Sequence, residues 1–201
     1  MGRVVQWSFL LLVGIGLRLS YQKNLEKGLD KRAFLFRNLK RGAFVFACGM
    51  IVSLATWLVI PEAYVRFGIL HLIGVSIMLL SLIADRPSMA LMVSGALFAA
   101  SFFTQAQDTS VIWLSVLGFP VPGLQTLDYF PILPWMAVPS LGIFLGALYY
   151  GNTRQPFFQK GSSGLAPYIK ILLWCGRHSL LIYMVHIPVL VGSILLLHAI
   201  L

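Results

Sequence analysis

The chain has 201 residues, of which 59% are hydrophobic and only 10% are charged, and its formal net charge is +9. Soluble domains carry roughly 25% charged residues, so this composition, with a mean hydropathy of +0.87, excludes an ordinary soluble domain. The apolar residues form continuous blocks rather than an alternating pattern, which favours membrane-spanning helices over a membrane β-barrel.

The first apolar segment is short. Its run VVQWSFLLLVGIGL holds 14 residues, about 21 Å of helix against a hydrocarbon core of about 30 Å, so the helix must extend to about Tyr21. A signal peptide is the competing interpretation, because Arg3 precedes an apolar run, but the greater positive charge lies behind that run and opposes export. The segment has the character of the second helix of a longer protein.

Five further apolar segments follow along the chain, and several approach the roughly 20 residues that a spanning helix needs. The sequence therefore predicts an all-α fold, a polytopic transmembrane helix bundle of about six spanning helices, formed as a single domain over residues 1–201. Cys48 and Cys175 lie in or beside apolar segments and imply no disulfide framework. The six predicted segments are 4–20, 42–60, 67–84, 88–104, 132–150 and 179–201.

The connectors between these segments differ in charge. Residues 18–41 hold eight Lys or Arg, and together with the connectors at 85–88 and 151–178 they contain 13 of the 15 basic residues. The positive-inside rule places these three connectors in the cytoplasm and both chain termini outside. The same rule explains the positive net charge without a nucleic-acid partner. Membrane lipid is therefore the expected partner, and nucleic acid is not.

A stretch interrupted by prolines, SVIWLSVLGFPVPGLQTLDYFPILPW, spans residues 110–135. Because proline removes a backbone donor and breaks helices, this stretch predicts an ordered outer loop that dips toward the membrane. In the segment that follows, Gly142 and Gly146 form a GxxxG pair, for which close helix packing is a sufficient explanation.

Two histidines lie inside apolar segments, where ionisable groups are costly and are candidates for function by default. His71 lies four residues after Phe67, and His186 shares one helical face with Ser179 and Tyr183 at i, i+4 and i+7 spacing. Both rings are predicted to point into a shared polar interior rather than toward lipid. Two roles stay open for His186: a structural hydrogen-bond donor, or a group that handles a proton or orients a substrate.

Other polar residues are also candidates for a site. Asp128 is crowded by aromatic residues and prolines in LDYFPILPW; it is either a turn or cap former or a carboxylate held rigidly over a site. Arg66, at the predicted outer mouth, is expected to pair with Asp128 or an anionic ligand, or to anchor the interface. Arg177 and His178 either bind an anion such as phosphate or form a surface pair. No local ligand spacing indicates a metal site.

Three motifs, RFGILHLIGVSIMLL, LDYFPILPWMAVPSLGIFLGALYY and GRHSLLIYMVHIPVL, resemble a known family. This family comprises the bacterial membrane proteins grouped with the catalytic domain of heparan-alpha-glucosaminide N-acetyltransferase, within the acyltransferase clan. The resemblance covers nearly the whole chain, and the early FLLLVGIGLRLSYQK also fits it. It implies a protein of the bacterial inner membrane that transfers an acetyl group from acetyl-CoA, at the cytoplasmic face, to an amino or hydroxyl group of a sugar or cell-envelope glycan.

The resemblance also implies that a histidine near the outer side acts as acetyl carrier or general base. No metal is implied, and a homo-oligomer is left open. The candidate catalytic residues are His71, His186 and Asp128, and the candidate substrate-binding residues are Arg66, Trp135, Arg177, His178, Ser179 and Tyr183.

The chain departs from the family in one respect. The family's best-supported catalytic histidine lies on a first helix that no residue here matches, so its role is not transferred to His71 or His186. Little or no acetyl transfer is therefore expected of these 201 residues alone. The alternative is a catalytically inactive membrane protein, or a small-molecule carrier or scaffold, although the two halves show no internal repeat of the kind expected of a transporter.

Overall fold

The computed structural model is helical, and the part of the chain that it describes contains no β-strand. The chain divides into two compact units, Met1–Arg154 and Gln155–Leu201. The described residues are 2–151, 174, 176, 178–182, 184 and 185.

The described part of the first unit, residues 2–151, contains six α-helices and two 3₁₀ turns. The turns are Ser81–Ile83 and Ile112–Leu117. The helices are α1 (Gly2–Glu26), α2 (Lys31–Val59), α3 (Ile69–Leu80), α4 (Pro87–Gln105), α5 (Ile132–Trp135) and α6 (Ala137–Tyr150).

Among the described residues, four apolar stretches are long enough to cross a membrane, and a shorter apolar helix covers Ile69–Ile83. These five elements overlap the first five predicted segments. The sixth predicted segment, 179–201, lies mostly outside the described residues, so the number of about six spans stays a prediction. The four long stretches are Val4–Glu26, Lys31–Val59, Pro87–Gln105 and Ile132–Tyr150.

The predicted connector at 18–41 is wrong in extent, because only residues 27–30 separate α1 from α2. Lys, Arg, Leu and Glu are good helix formers, and they extend both helices beyond their apolar parts. Gly28 makes the reversal with a φ of 63°, a conformation that glycine adopts without steric cost. The extension of α1 past Tyr21 is confirmed, and its 25 residues give about 37 Å of helix.

Glycines let α1 and α6 approach at backbone distance. A Cβ atom on Gly14 would collide with the carbonyl oxygen of Pro139, and one on Gly142 would collide with that of Leu11. A Cβ on Gly146 would lie 3.2 Å from the Cα of Ile15. Close packing through the GxxxG pair is therefore confirmed, as expected for helix contacts that rest on small residues.

The other helix contacts also use small and hydroxyl side chains. A Cβ on Gly42 of α2 would lie 2.7 Å from the carbonyl oxygen of Gly74 of α3. Between α4 and α6, Ser94 Oγ donates to the carbonyl of Ala137 at 2.8 Å, and Ser140 Oγ donates to that of Ala90 at 2.8 Å. Large apolar side chains lie outside instead, as expected of helices that face lipid. Examples are Leu58, Met92, Phe102 and Phe103.

The proline-interrupted stretch is ordered by its own hydrogen bonds, as predicted. The backbone N–H of Thr109 donates to the carbonyl of Pro120 at 3.0 Å. The hydroxyl of Tyr129 donates to the carbonyl of Ser115, in the second 3₁₀ turn, at 2.7 Å. These bonds fold the loop between α4 and α5 back on itself. The loop is joined to the segment before α3 by the hydroxyl of Thr126, which donates to the carbonyl of Tyr64 at 3.0 Å.

Candidate functional site

The candidate site forms where the segment before α3 pairs with the segment before α5. The N–H of Leu127 donates to the carbonyl of Ala63 at 2.9 Å, and the N–H of Phe130 donates to the carbonyl of Phe67 at 2.9 Å. Phe67 and Tyr129 form an isolated parallel bridge. This pairing joins residues about 60 positions apart in sequence and fixes the entry to α3.

Asp128 caps α3 from this second segment. Its Oδ2 accepts a hydrogen bond from the N–H of Ile69, the first residue of α3, at 2.9 Å. The residue at the N-cap itself is Gly68, which has no side chain to cap with, so a carboxylate from the distant segment takes that role. A Cβ on Gly68 would collide with this carboxylate. Asp128 therefore acts as a helix cap, one of the two roles predicted for it.

Burial raises the pKa of the Asp128 carboxyl above its usual range, although hydrogen bonds from the backbone N–H groups of Ile69 and Tyr129 act in the opposite direction. Burial also raises the pKa of the Tyr129 hydroxyl. Removal from water disfavours the charged form of each group.

His71 lies one turn into α3 and is 2% exposed. Its Nδ1 accepts a hydrogen bond from the N–H of Gly68 at 3.2 Å, and its Nε2 lies 3.5 Å from the hydroxyl of Ser53 on α2. The ring of Phe46 meets it edge-on at 5.1 Å, and a Cβ on Gly49 would lie 3.0 Å from it. The ring is thus enclosed by protein, as predicted for His71.

These contacts assign the neutral tautomer of His71. Because Nδ1 accepts from a backbone N–H, the ring proton lies on Nε2, which is directed at the Ser53 hydroxyl. Nδ1 of His71 therefore binds the N-cap residue of α3 itself, and Nε2 reaches across to Ser53 of α2. The interior that His71 was predicted to share with His186 lies outside the described residues.

A cavity of about 350 Å³ opens beside this pairing and is lined by Glu62, Arg66, Ile112 and residues 121–125. The guanidinium carbon of Arg66 lies 4.9 Å from the centre of the Tyr64 ring. Arg66 Nε is buried and has no hydrogen-bond partner among the described residues. We refer to this space as the Arg66 cavity.

The predicted pairing of Arg66 with Asp128 is not formed. An ion pair forms instead at Asp85, which contacts Lys31 at 2.7 Å and Arg86 at 3.8 Å. The oxygens of Asp128 serve backbone donors instead. Arg66 therefore keeps a donor for another group.

Trp135 is not among the residues that line the Arg66 cavity. Its ring packs against Phe130 at 4.7 Å and against Trp7 of α1 at 5.7 Å. This aromatic cluster ties the short helix α5 to α1, so the contacts of Trp135 are those of a packing residue.

In the second unit, His178 Nδ1 hydrogen-bonds to the carbonyl of Trp174 at 2.9 Å, and the two rings lie 4.6 Å apart. Ser179 is exposed. Arg177, Tyr183 and His186 lie outside the described residues, so their predicted roles stay predictions.

The sequence did not predict two of the polar contacts in the structure. Ser53 faces His71 from the preceding helix, and its only signal is that Gly49 and Ser53 leave a small-residue face at i, i+4 spacing on α2. Arg18 is 7% exposed within α1, and its guanidinium donates to the carbonyl of Ala84 at 2.9 Å. Among the described side chains, no three His, Cys, Asp or Glu converge as a metal-binding group.

These features define an integral membrane protein of several apolar helices with a polar site at one end of the α2–α3 pair. The chain belongs to the family described as heparan-alpha-glucosaminide N-acetyltransferase, catalytic, whose sequence profile matches residues 1–188. The predicted family is thereby confirmed. No curated protein and no solved structure matches the chain.

Proposed function

We propose that the protein is an acetyltransferase of the bacterial inner membrane. It moves an acetyl group from acetyl-CoA to an amino or hydroxyl group of a sugar or cell-envelope glycan. The family match supports this class of reaction, and it does not favour the alternative of an inactive protein, carrier or scaffold.

The proposal is supported above all by Arg66. Its Nε is buried without a hydrogen-bond partner among the described residues, beside a cavity of about 350 Å³. A buried donor without a partner costs about 1–3 kcal/mol, and an oxygen atom of a bound sugar would remove that cost. Glu62 also lines the cavity and would accept a hydrogen bond from an acceptor amine or hydroxyl. We therefore assign the Arg66 cavity to the acceptor.

Asp128 is the proposed general base. Its raised pKa brings it closer to neutral pH, where a carboxylate removes a proton more effectively. The acceptor nitrogen or oxygen attacks the thioester carbonyl, Asp128 takes the proton of the attacking group, the carbon–sulfur bond breaks, and CoA leaves as a thiolate that is then protonated.

The proposed role of His71 is to position these groups rather than to react. Both of its ring nitrogens are engaged, and through Gly68 it fixes the start of α3 next to Arg66 and Asp128. His186 is proposed as the deep histidine that handles a proton or orients the substrate, with Ser179 and Tyr183 at the sequence spacing predicted to share its helical face. Trp135 is proposed to support the acceptor site by packing, and Arg177 and His178 are proposed to hold phosphates of acetyl-CoA.

The test is transfer of labelled acetyl from acetyl-CoA to glucosamine by purified protein in liposomes. Asp128→Asn is expected to lower kcat by about 10²–10⁴-fold, the usual contribution of a general base. Arg66→Gln mainly raises KM for the acceptor.

Arg86→Gln is the matched control, because it also removes an arginine charge but the Arg86 side chain is 67% exposed and pairs only loosely with Asp85. The control variant is expected to keep the activity. Full activity of both site variants would refute the assigned roles, and absence of transfer from every form, with several amino and hydroxyl acceptors, would refute the proposed reaction.

A further inference from the structure

A second polar cavity lies at the turn between α1 and α2, at the opposite end of α2 from His71. Its volume is about 250 Å³. The residues that line it are Ser20, Lys23, Asn24, Lys27 and Arg37.

One face of α1 and the turn after it supplies most of this lining. Ser20, Lys23, Asn24 and Lys27 follow i, i+3, i+4 and i+7 spacing, which stacks their side chains along one side of a helix. The four-residue turn then brings the first turns of α2 back beside them. Arg37 completes the lining from α2.

Asn24 fixes the position of Arg37. It is 1% exposed, and its Nδ2 donates to the carbonyl of Leu29 in the turn at 2.9 Å. Its Oδ1 accepts from a terminal nitrogen of Arg37 at 3.2 Å. The guanidinium carbon of Arg37 also lies 6.0 Å from the centre of the Phe34 ring. One side of the guanidinium is thereby held by protein, and its remaining N–H groups are left for a ligand.

The side chains that line this cavity carry positive charges without a negative charge among them. Three of the five lining residues are cations, and no described carboxylate is among them. Lys31 at the same end of the protein provides the contrast, because it pairs with Asp85 at 2.7 Å. Lys23, Lys27 and Arg37 have no such ion pair among the described residues.

Three neighbouring cations with a fixed guanidinium, an amide and a hydroxyl match the chemistry of a phosphate group. Arginine binds phosphate through a planar fork of donors, and lysine binds it as a point charge. Basic pockets at the cytoplasmic ends of membrane helices bind phosphorylated lipid headgroups by these interactions.

We propose that the cavity lined by Ser20, Lys23, Asn24, Lys27 and Arg37 is a phosphate-binding site. Its ligand is a phosphate ester, carried either by an anionic phospholipid headgroup or by a soluble molecule. The site is distinct from the Arg66 cavity, since Arg37 and Ser53 are separated by sixteen residues of α2, or about 24 Å. The proposal therefore does not rest on the acetyltransferase reaction.

The experiment uses the full chain and has one arm for each source. In the lipid arm, the protein is placed in nanodiscs of phosphatidylcholine with or without phosphatidylglycerol, and retained phosphatidylglycerol is counted by native mass spectrometry. In the soluble arm, the protein in uncharged detergent is titrated calorimetrically with glycerol 3-phosphate. Specific binding in either arm is expected, and the arm in which it occurs names the source.

The test variant is Lys23→Gln with Lys27→Gln, and the matched control is Lys40→Gln with Arg41→Gln. Both remove two charges from the same end of the protein, but Lys40 and Arg41 are exposed and lie outside the lining. We expect the test pair to weaken binding by roughly 10- to 30-fold, since each basic group near a phosphate surface contributes about 1 kcal/mol. The control pair is expected to change it less than threefold.

Arg37→Gln, which removes the guanidinium that α2 supplies to the cavity, is a second test and should also weaken binding about tenfold. Equal thermal unfolding midpoints without phosphate show that the variants are folded. Absence of binding in both arms, or an equal loss in the test and control pairs, would overturn the proposal.

Discussion

At the His71 end of the α2–α3 pair, polar groups are buried and bonded to the protein, whereas at the Lys31 end charged groups remain near the surface. His71 and Asp128 serve backbone N–H groups at the start of α3. Lys23 and Lys27, by contrast, are exposed around a cavity. Polar groups removed from water must be hydrogen-bonded, so the first end should contribute more to stability. The second end retains charge and should contribute less to stability and more to the binding of phosphate.

The largest effect on stability is expected from Gly68→Ala. The new Cβ would collide with the Asp128 carboxylate and lie 2.8 Å from Val65, so the cap of α3 must move. Overpacking of this kind costs about 1–3 kcal/mol. Intrinsic tryptophan fluorescence during thermal unfolding in detergent measures the effect.

Gly95→Ala is the matched control for this variant. A Cβ on Gly95 of α4 would meet nothing within 4 Å, so the change should be neutral or stabilising by up to about 1 kcal/mol through helix propensity. An equal loss in both variants would show that the contact between Gly68 and Asp128 is not what limits stability.

The second largest loss of stability is expected when the cap formed by Asp128 is removed. Asp128→Ala removes the acceptor of the Ile69 N–H and should lower the free energy of unfolding by about 1–2 kcal/mol, as for other lost helix caps. Asp128→Asn keeps an oxygen at the same place and should lose less. Equal shifts of the unfolding midpoint in both variants would show that the side-chain oxygen at residue 128 does not act as the cap of α3.

A pH series separates the charge of Asp128 from its hydrogen bond. Because burial raises the pKa of Asp128, the native state retains a proton that the unfolded state has lost above about pH 4. The stability of the wild type, relative to Asp128→Asn, should therefore be greatest below that pH. It should fall as pH rises through the raised folded-state pKa. A relative stability that rises with pH would contradict this sign.

The smallest effect is expected at the opposite end. Lys31 and Asp85 form an ion pair at 2.7 Å, but the lysine side chain is 41% exposed. Exposed pairs contribute about 0–1 kcal/mol, so Lys31→Ala should shift the unfolding midpoint little, and less at high salt. A loss as large as that of Asp128→Ala would remove the distinction between the two ends.

The sequence by itself determined the helical membrane class, the first five apolar segments and the GxxxG contact of α6. Hydropathy and the spacing of small residues are local signals, and each reports directly on what a helix meets in lipid or in a neighbouring helix. The family also followed from motifs in the sequence.

Only the tertiary structure decided which distant groups meet. Nothing in the sequence near His71 indicates Ser53, and nothing near Asp128 indicates the N–H of Ile69, 59 residues away. Residues 18–41 were predicted to be a connector because their charged side chains favour a location in water. Lysine, arginine and glutamate are also good helix formers, so α1 and α2 continue through most of this stretch. The cap, the tautomer of His71 and the unpartnered Arg66 all depend on chain segments brought together by helix packing, which local sequence patterns do not encode.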